Sequence, residues 1–354
     1  MYDVIIIGGG ASGLTVANVA KSRGKSVVVL EANKRAGRKI LLAGNGRCNV
    51  SNEVISSEYY NNDKIAKFLS KSGKVRDFFD RIGLEVRSVD GRLYPYSETG
   101  TTVLNLLRKN LSDEIICDVV VDEINYCDGV FNVNGYEAKK AVVCTGGVAS
   151  GGIDSYSLLQ KFGHTKTKLY PALCPMYCDS KYTKSLAGIR VKANLSLFTD
   201  GRKIYSEKGE LLFKENGLSG IVSMSLSRYL SDGDNEVSID FAPEYDRARL
   251  EKISADGLLQ SAVLTCVTKQ ASDRNLSVAE VIKDFRVKKV RYGDMKNAQT
   301  TRGGIATDTF TDCLESKFRH GLYACGEVLD VDGACGGYNL HWAFLSGIIV
   351  GESV

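Results

Sequence analysis

The first residues of the chain constrain its fold most, because a glycine fingerprint lies between two apolar, β-branched runs. The chain begins "MYDVIIIGGGASGLTVANVAKSRGKSVVVLEA". Residues 4–7 and 27–30 have the composition of parallel strands that are buried on both faces, and residues 14–20 carry apolar side chains at helical spacing. This strand–helix–strand order predicts the first unit of a doubly wound, Rossmann-like sheet.

The glycines between the first strand and the helix predict a dinucleotide site. Gly8 permits a tight turn, Gly10 lets a pyrophosphate approach the backbone, and Gly13 lets the helix pack closely on the strand. Glu31 follows the second strand, where a carboxylate can bind ribose hydroxyls and disfavours the 2′-phosphate of NADP. The alternative is a glycine turn without a ligand. The predicted contacts in this segment are Gly8, Gly10, Ala11, Ser12, Gly13, Glu31 and Ala32.

Two later segments favour FAD over NAD. Residues 117–124 and 141–144 are predicted strands, and the second ends in a Thr-Gly-Gly turn. A strand at residues 322–325 leads into Gly-Glu, a glycine-rich loop and a helix from about residue 338, whose positive N-terminus would face a reduced flavin. An ordinary turn and a structural helix are the alternatives. The predicted contacts are Val121, Thr145, Gly146, Gly147, Gly326, Glu327, Gly336, Gly337, Tyr338 and Asn339.

A Gly/Asn/Arg loop, "GRKILLAGNGRCNVSN", follows the predicted ribose site. Its cations can meet phosphate charge, and its glycines allow backbone approach. Cys48 has no neighbouring cysteine partner, so a dithiol relay is not expected. A reactive thiol or a transient flavin adduct stays open, but a small packing residue beside the cofactor is favoured. The predicted cofactor contacts are Arg38, Lys39, Gly44, Gly46, Arg47, Cys48 and Asn49; Cys48 and Tyr338 are the catalytic candidates beside the flavin itself.

Composition excludes several other classes of protein. The chain has 354 residues, a net charge of +4, ten cysteines without C-x-x-C spacing and three histidines, so no metal site is expected. Reduced thiols are favoured over disulfides. No apolar run reaches the roughly 18 residues of a membrane helix, and no signal peptide is visible, so a cytoplasmic protein is expected.

The middle of the chain predicts an insertion into the FAD-binding domain, which would comprise residues 1–168 and 307–354. Alternating patterns such as "IRVKANLSLF" and "EVSIDFAP" indicate a β-barrel-like substrate domain at 169–242 and 290–306. Residues 243–289 have helical periodicity, which we extend through "SVAEVIKDFRVKKV". Ser277 and Glu280 have the spacing of a capping box.

In several of its motifs the chain resembles a family of bacterial FAD-binding flavoproteins that includes aminoacetone oxidases and a dehydro-bile-acid reductase. The resemblance is carried by "IIIGGGASGL", "GRKILLAGNGRCNVSN", "GRLYPYSE", "LYPALCPM", "GELLFKENGLSG" and "YACGEVLDVDGACGGYNLHWAFLSG". It implies an α/β fold in which a two-piece Rossmann-like FAD-binding domain carries an inserted β-barrel-like domain and a small helical insertion.

The functional hypothesis is an FAD-dependent oxidoreductase that transfers hydride through flavin N5. The resemblance implies reduction of an activated C=C bond in a small, steroid-like substrate, with NAD(P)H as a transient donor because no second glycine fingerprint is visible. An amine oxidase using O₂, a flavin-dependent tRNA-modifying enzyme and a flavin-binding regulator are the alternatives. Nucleic acid is not the expected partner, since acids interleave both basic stretches, "KVRDFFDRIGLEVR" and "KDFRVKKVRYGDMK". The oligomeric state is left open.

Overall fold

A computed structural model describes all residues 1–354 and divides them into two compact units. The first unit contains residues 1–170 and 300–354, and the second contains residues 171–299. The strands and helices, in chain order, are β1 (Tyr2–Ile7), α1 (Ala11–Ser22), β2 (Val27–Leu30), α2 (Arg38–Leu42), β3 (Ser51–Asn52), α3 (Ala66–Leu69), α4 (Gly73–Ile82), β4 (Val86–Val89), β5 (Arg92–Pro95), α5 (Gly100–Arg108), β6 (Ile115–Ile116), β7 (Asn125–Cys127), β8 (Val130–Val133), β9 (Tyr136–Val143), α6 (Ser157–Gln160), β10 (Tyr170–Ala172), β11 (Met176–Tyr177), α7 (Ser180–Thr183), β12 (Arg190–Thr199), β13 (Arg202–Lys214), β14 (Gly217–Ser219), α8 (Ile221–Ser227), β15 (Asn235–Asp240), α9 (Arg247–Leu250), α10 (Ser261–Arg274), α11 (Val278–Lys283), β16 (Phe285–Val290), β17 (Thr300–Arg302), β18 (Leu322–Ala324) and α12 (Tyr338–Ser353).

The first unit is built on a Rossmann-like parallel sheet. Its parallel strands are ordered β6-β2-β1-β9-β18, and β8 and β7 extend β9 in antiparallel fashion. Residues 4–7 of β1 and all four residues of β2 are apolar and buried, as expected for strands covered on both faces. The strand–helix–strand unit predicted from the beginning of the sequence is therefore confirmed.

Helix α12 packs closely against α1, because small residues line the contact. A methyl group added at Gly347 would lie 2.8 Å from the Ser12 carbonyl oxygen, and one at Gly351 would lie 2.6 Å from the Val19 Cβ. The chain's C-terminal helix is thereby held beside the helix that follows the glycine fingerprint. No helix in the protein is both long enough and apolar enough to span a membrane.

The second unit contains a nearly closed antiparallel barrel. Its strands are ordered β11-β14-β13-β12-β15-β16. Tyr177 on β11 and Arg291, just after β16, exchange two backbone hydrogen bonds of 3.0 and 2.9 Å, which join the first strand to the last. The barrel-like architecture predicted from the sequence is thus confirmed.

The helices and strands of the second unit share one hydrophobic core. The helices of residues 243–289 have no core of their own, since Val263, Val267 and Val281 pack into the same cluster as the barrel side chains. Residues 300–306, expected in the barrel-like domain, belong to the first unit. The capping box of Ser277 and Glu280 at the start of α11 is present as predicted.

Two predicted elements were wrong. Residues 285–290 form strand β16 rather than a helix, because Phe285 and Val287 alternate into the core while the strand pairs with β15. Residues 117–124 are not a strand, since β6 ends at Ile116 and Asp118 adopts a positive φ of 60°. The extended segment that follows still bonds the end of β2, through Val119 N–H to the Glu31 carbonyl at 3.0 Å.

Candidate cofactor-binding site

The glycine loop between β1 and α1 is packed tightly on one side and open on the other. Gly8 has φ of 106°, and a methyl group there would lie 2.5 Å from the Cys144 carbonyl oxygen. At Gly13 it would lie only 1.9 Å from the Gly8 carbonyl oxygen, whereas at Gly10 it would meet no protein atom within 4 Å. The loop therefore has the shape of a cradle, with its free backbone at Gly10 beside the start of α1, where Ala11 and Ser12 lie.

Glu31 is fixed against this loop. Its carboxylate accepts hydrogen bonds from Gly9 N–H at 2.8 Å and from the backbone and side-chain nitrogens of Asn33 at 2.8 and 2.6 Å. The residue is 7% exposed, and Ala32 beside it is half-buried. Val121, a predicted cofactor contact that we expected in a strand, is buried in the irregular segment after β6. The Glu31 carboxylate is thus a fixed hydrogen-bond acceptor at the end of β2, where an adenosine ribose would be bound.

The Gly/Asn/Arg loop begins as a short helix, α2, and then turns through left-handed conformations. Gly44, Asn45, Gly46 and Cys48 all have positive φ, between 56° and 87°. The loop is anchored at its end, because Val50 N–H bonds the Leu93 carbonyl on β5 at 2.9 Å. Its unusual composition is explained by this backbone path, which residues other than glycine and asparagine adopt rarely.

The two cations at the start of α2 contact loops from distant parts of the sequence. The Arg38 guanidinium donates to the Ser150 and Gly151 carbonyls at 2.6 and 3.1 Å. The Lys39 ammonium donates to Glu327 at 3.1 Å and to the Gly147 carbonyl at 3.3 Å. These contacts draw α2 onto the Thr-Gly-Gly turn and its following loop.

Glu327 is the centre of the resulting cluster. Besides the Lys39 ammonium, its carboxylate accepts a hydrogen bond from Thr301 N–H at 2.8 Å and one from the Thr300 hydroxyl at 3.2 Å. Gly326 has φ of 78° and packs so closely on Ser12 that a methyl group would lie 2.5 Å from its hydroxyl oxygen. The strand-Gly-Glu segment is therefore held against both the glycine loop and the Thr-Gly-Gly turn.

The beginning of α12 meets the Gly/Asn/Arg loop. Gly337 has φ of 98°, and a methyl group there would lie 2.3 Å from the Ser51 carbonyl oxygen and 2.7 Å from Asn49 Oδ1. Asn52 donates to the Gly336 carbonyl at 3.0 Å. Asn339 remains a predicted cofactor contact, and its side-chain amide bonds both backbone groups of Gly333.

Aromatic rings cover the first turn of α12. Tyr338 stacks on Tyr59 with ring centroids 4.5 Å apart, and Tyr60 contacts it edge-on at 5.9 Å. Burial and the neighbouring Tyr59 raise the pKa of Tyr338 to about 12, so its hydroxyl stays protonated at neutral pH. Tyr59 and Tyr60 were missed in the sequence, because nothing local links them to the distant helix.

The remaining members of the loop have different surroundings. Arg47 lies 4.5 Å above the Tyr94 ring centroid and 3.1 Å from the Glu98 carboxylate. Cys48 is fully buried, and burial raises the pKa of its thiol to about 12. Its sulfur is therefore a thiol rather than a nucleophilic thiolate at neutral pH.

The arrangement fits a bound dinucleotide such as FAD. Asn49 Oδ1, in the Gly/Asn/Arg loop, and Thr145 Oγ1, in the Thr-Gly-Gly turn, are buried without a hydrogen-bond partner in the protein. Buried polar groups normally have partners, so these atoms indicate a ligand. Glu31, Lys39 and Glu327 would hold it together with the open backbone at Gly10. Bound FAD would supply two-electron redox chemistry at its isoalloxazine ring.

Comparison with known families agrees with this geometry. The family model described as "HI0933-like protein Rossmann domain" matches residues 2–353. The chain belongs to the HI0933-like family. It is an FAD-dependent oxidoreductase.

Curated relatives match the chain over its full length. A 3-dehydro-bile acid delta(4,6)-reductase of Clostridium scindens is 30% identical, with 100% of this chain and 99% of the relative covered. A ribosomal RNA dihydrouridine synthase of Escherichia coli K12 is 26% identical, with 98% and 96% covered. Among solved structures, a 3-ketosteroid-delta4-(5alpha)-dehydrogenase of Rhodococcus jostii RHA1 superposes with a TM-score of 0.51 at 16% identity, covering 99% of this chain and 96% of that one. That likeness shows the shared fold.

Proposed function

We propose that the protein reduces a C=C bond conjugated to a carbonyl group in a small, steroid-like substrate, with FAD as cofactor and NAD(P)H as electron donor. The observation that carries this proposal is the 30% identity, over the whole chain, to a 3-dehydro-bile acid delta(4,6)-reductase. Its name describes a substrate in which ring double bonds lie near a 3-oxo group.

The second group of relatives supports the same reaction class. A dihydrouridine synthase saturates the C5=C6 bond of uracil, which is conjugated to the C4 carbonyl. Both named activities therefore add two hydrogen atoms across a C=C bond activated by a carbonyl. This common chemistry favours a reductase over an amine oxidase, whichever acceptor is used.

The residues of the first unit suit such a cofactor. Lys39 and Glu327 would bind the polar chain of the dinucleotide, with the Thr301 N–H holding the Glu327 carboxylate in place. The start of α12 would direct its positive end toward the isoalloxazine ring. Tyr338 keeps its proton at neutral pH and is the candidate to hold a proton near this helix start. Cys48, buried as a neutral thiol, would serve as a packing residue.

RNA is the second candidate substrate, because the dihydrouridine synthases match nearly the whole chain. The charges of the two basic stretches give it less support. In the first, Lys74 pairs with Glu352 at 2.5 Å. In the second, the Lys283 ammonium pairs with the Asp240 carboxylate at 2.7 Å, and the Arg286 guanidinium pairs with the carboxylate of Asp284, two residues earlier, at 2.5 Å. Cations already paired with carboxylates release fewer counterions on binding phosphate.

Two half-reactions separate these possibilities. In the first, the FAD-loaded protein is mixed with NADH or NADPH without oxygen, and the visible absorbance of oxidised flavin is followed by stopped flow. Rapid bleaching by one nucleotide is expected. Bleaching by primary amines but by neither nucleotide would instead indicate an amine oxidase.

In the second half-reaction, the photoreduced protein is offered one acceptor at a time. The acceptors are a 3-oxo-4,6-diene steroid, a 3-oxo-4-ene steroid, free uridine and ribosomal RNA transcribed without modification. Flavin reoxidation by a steroid is expected. Reoxidation by the RNA alone, with formation of dihydrouridine, would replace the steroid-like substrate by RNA.

A further inference from the structure

A cleft in the first unit is formed where the last turns of α1, α4 and α5 come together. Its volume is about 350 Å³, within the range of about 300–1,000 Å³ that is typical of small-molecule sites. The cleft is separate from the glycine cradle. Asn18, the first of its residues in α1, lies about 12 Å along that helix from Gly10.

The walls of this cleft carry three cations, Lys21, Arg81 and Lys109, and no carboxylate. Lys21 already has partners, since its ammonium donates to the Asn110 carbonyl at 2.7 Å and pairs with Glu114. The Arg81 guanidinium and the Lys109 ammonium form no hydrogen bond or ion pair within the protein. Both residues are exposed, so an anion can reach them.

Apolar side chains lie beside the two unpaired cations. Ile82 and Leu106 are half-buried in the cleft, and the Phe78 ring lies beneath, with its centroid 5.8 Å from the Arg81 guanidinium. This combination suits a molecule that has an apolar body and one anionic group. An extended phosphate backbone would leave the apolar part of the cleft without a partner.

We propose that the cleft binds a small organic anion. Its anionic group would lie between Arg81 and Lys109, and its apolar body would cover Ile82 and Leu106. A guanidinium can hold a carboxylate or a phosphate through two parallel hydrogen bonds. The inference does not depend on the reaction or the substrate proposed above, because no predicted cofactor contact lines the cleft. The alternative is that the two cations only complement the negative ends of α4 and α5, in which case no anion is bound.

The test is calorimetric titration of the FAD-loaded full chain, so that the dinucleotide site is already filled. The probes are naphthoate and naphthyl phosphate, which carry the two kinds of anionic group on one apolar body, and naphthol, which is neutral at pH 7. Saturable binding of at least one of the two anions is expected. It should weaken with added salt, because the cations are exposed, and naphthol should bind much more weakly.

Charge-removing variants place the bound anion. Arg81→Gln and Lys109→Gln should each weaken its binding by about 3- to 10-fold, with an unchanged unfolding temperature because neither cation has a partner in the protein. Arg76→Gln is the matched control. Arg76 is an exposed cation of the same helix, paired with Asp80 at 3.3 Å and outside the cleft, so its loss should leave the affinity unchanged.

Three results would overturn the proposal. If neither anion binds, the two cations serve only the helix ends. If naphthol binds as tightly as the anions, the cations do not recognise the ligand. If affinity is unchanged in both Arg81→Gln and Lys109→Gln, the anion binds elsewhere on the protein.

Discussion

The substitution Gly10→Ala should weaken FAD binding while leaving the stability of the apoprotein almost unchanged. In the apoprotein an alanine there should be tolerated, because φ is −81° and the added methyl group meets no atom within 4 Å. Reduced freedom of the unfolded chain stabilises by about 0.4–1 kcal/mol, and the poorer helix cap costs about 0.5–1 kcal/mol, so the two effects nearly cancel. The apoprotein unfolding temperature should therefore stay within about 2 °C of the wild type.

FAD binding should respond very differently to Gly10→Ala. The methyl group would occupy the space through which a pyrophosphate approaches the loop, so charge-assisted hydrogen bonds from the backbone would lengthen or break. Each is worth about 1.5–3 kcal/mol, which corresponds to roughly 10- to 150-fold in affinity. Titration of the apoprotein with FAD, by fluorescence or calorimetry, measures this loss directly.

Gly13→Ala is the control with the reverse pattern. Its methyl group would lie 1.9 Å from the Gly8 carbonyl oxygen, so the backbone of α1 and the loop must separate. Overpacking of this kind costs about 1–3 kcal/mol or more, and the apoprotein should unfold about 2–12 °C lower. If Gly10→Ala binds FAD as tightly as the wild type, or destabilises the apoprotein as much as Gly13→Ala, the loop is not the cofactor cradle.

Three further predictions concern single side chains. With a pKa of about 12, only about 1 in 10,000 Cys48 side chains is a thiolate at pH 8. Cys48 should therefore resist iodoacetamide in the folded protein, whereas the exposed Cys127 should react. Mass spectrometry of the labelled peptides checks this, and labelling of Cys48 would support a reactive thiol. Burial lowers the pKa of His341 from its ordinary 6.5 to about 4. Between these two pH values the unfolded chain binds a proton at His341 that the folded protein does not. The free energy of unfolding should therefore fall as the pH drops from 6.5 to 4, by up to about 1.4 kcal/mol per pH unit. Urea unfolding at several pH values should show a shallower slope in His341→Gln, and an unchanged slope would mean that His341 does not carry it. Ser277→Ala removes the capping box of α11 and should cost about 1 kcal/mol in urea unfolding with no change in FAD affinity; a change in affinity would contradict the assignment of a local, structural role.

Local patterns predicted the elements that are themselves local. The β1–α1–β2 unit, β12 and the Ser277 cap each depend on residues within one or two turns or strands, and all are present. Residues 285–290 show the limit of such patterns. Helical spacing continues from α11 through "KDFRVKKV", but the antiparallel partner β15 decides the outcome, and that partner lies some 50 residues earlier in the chain.

The site was predictable where backbone conformation requires glycine. Gly8 and Gly337, for example, have positive φ and lie against neighbouring backbone, which local sequence can signal. The contact of Lys39 with Glu327 joins residues 288 positions apart, and Tyr59 stacks on Tyr338 from a distant part of the chain. Such features depend on how the loops pack together, which no short motif encodes.

The central claim is most directly tested by a single turnover of the reduced protein. The FAD-loaded full chain is photoreduced without oxygen and mixed with a 3-oxo-4,6-diene steroid, while flavin reoxidation and the steroid product are followed by stopped flow and mass spectrometry. The account predicts that reoxidation is coupled to one equivalent of steroid that has gained two hydrogen atoms. Flavin that stays reduced in the presence of the dienone but is reoxidised by ribosomal RNA, or by oxygen alone, would contradict it.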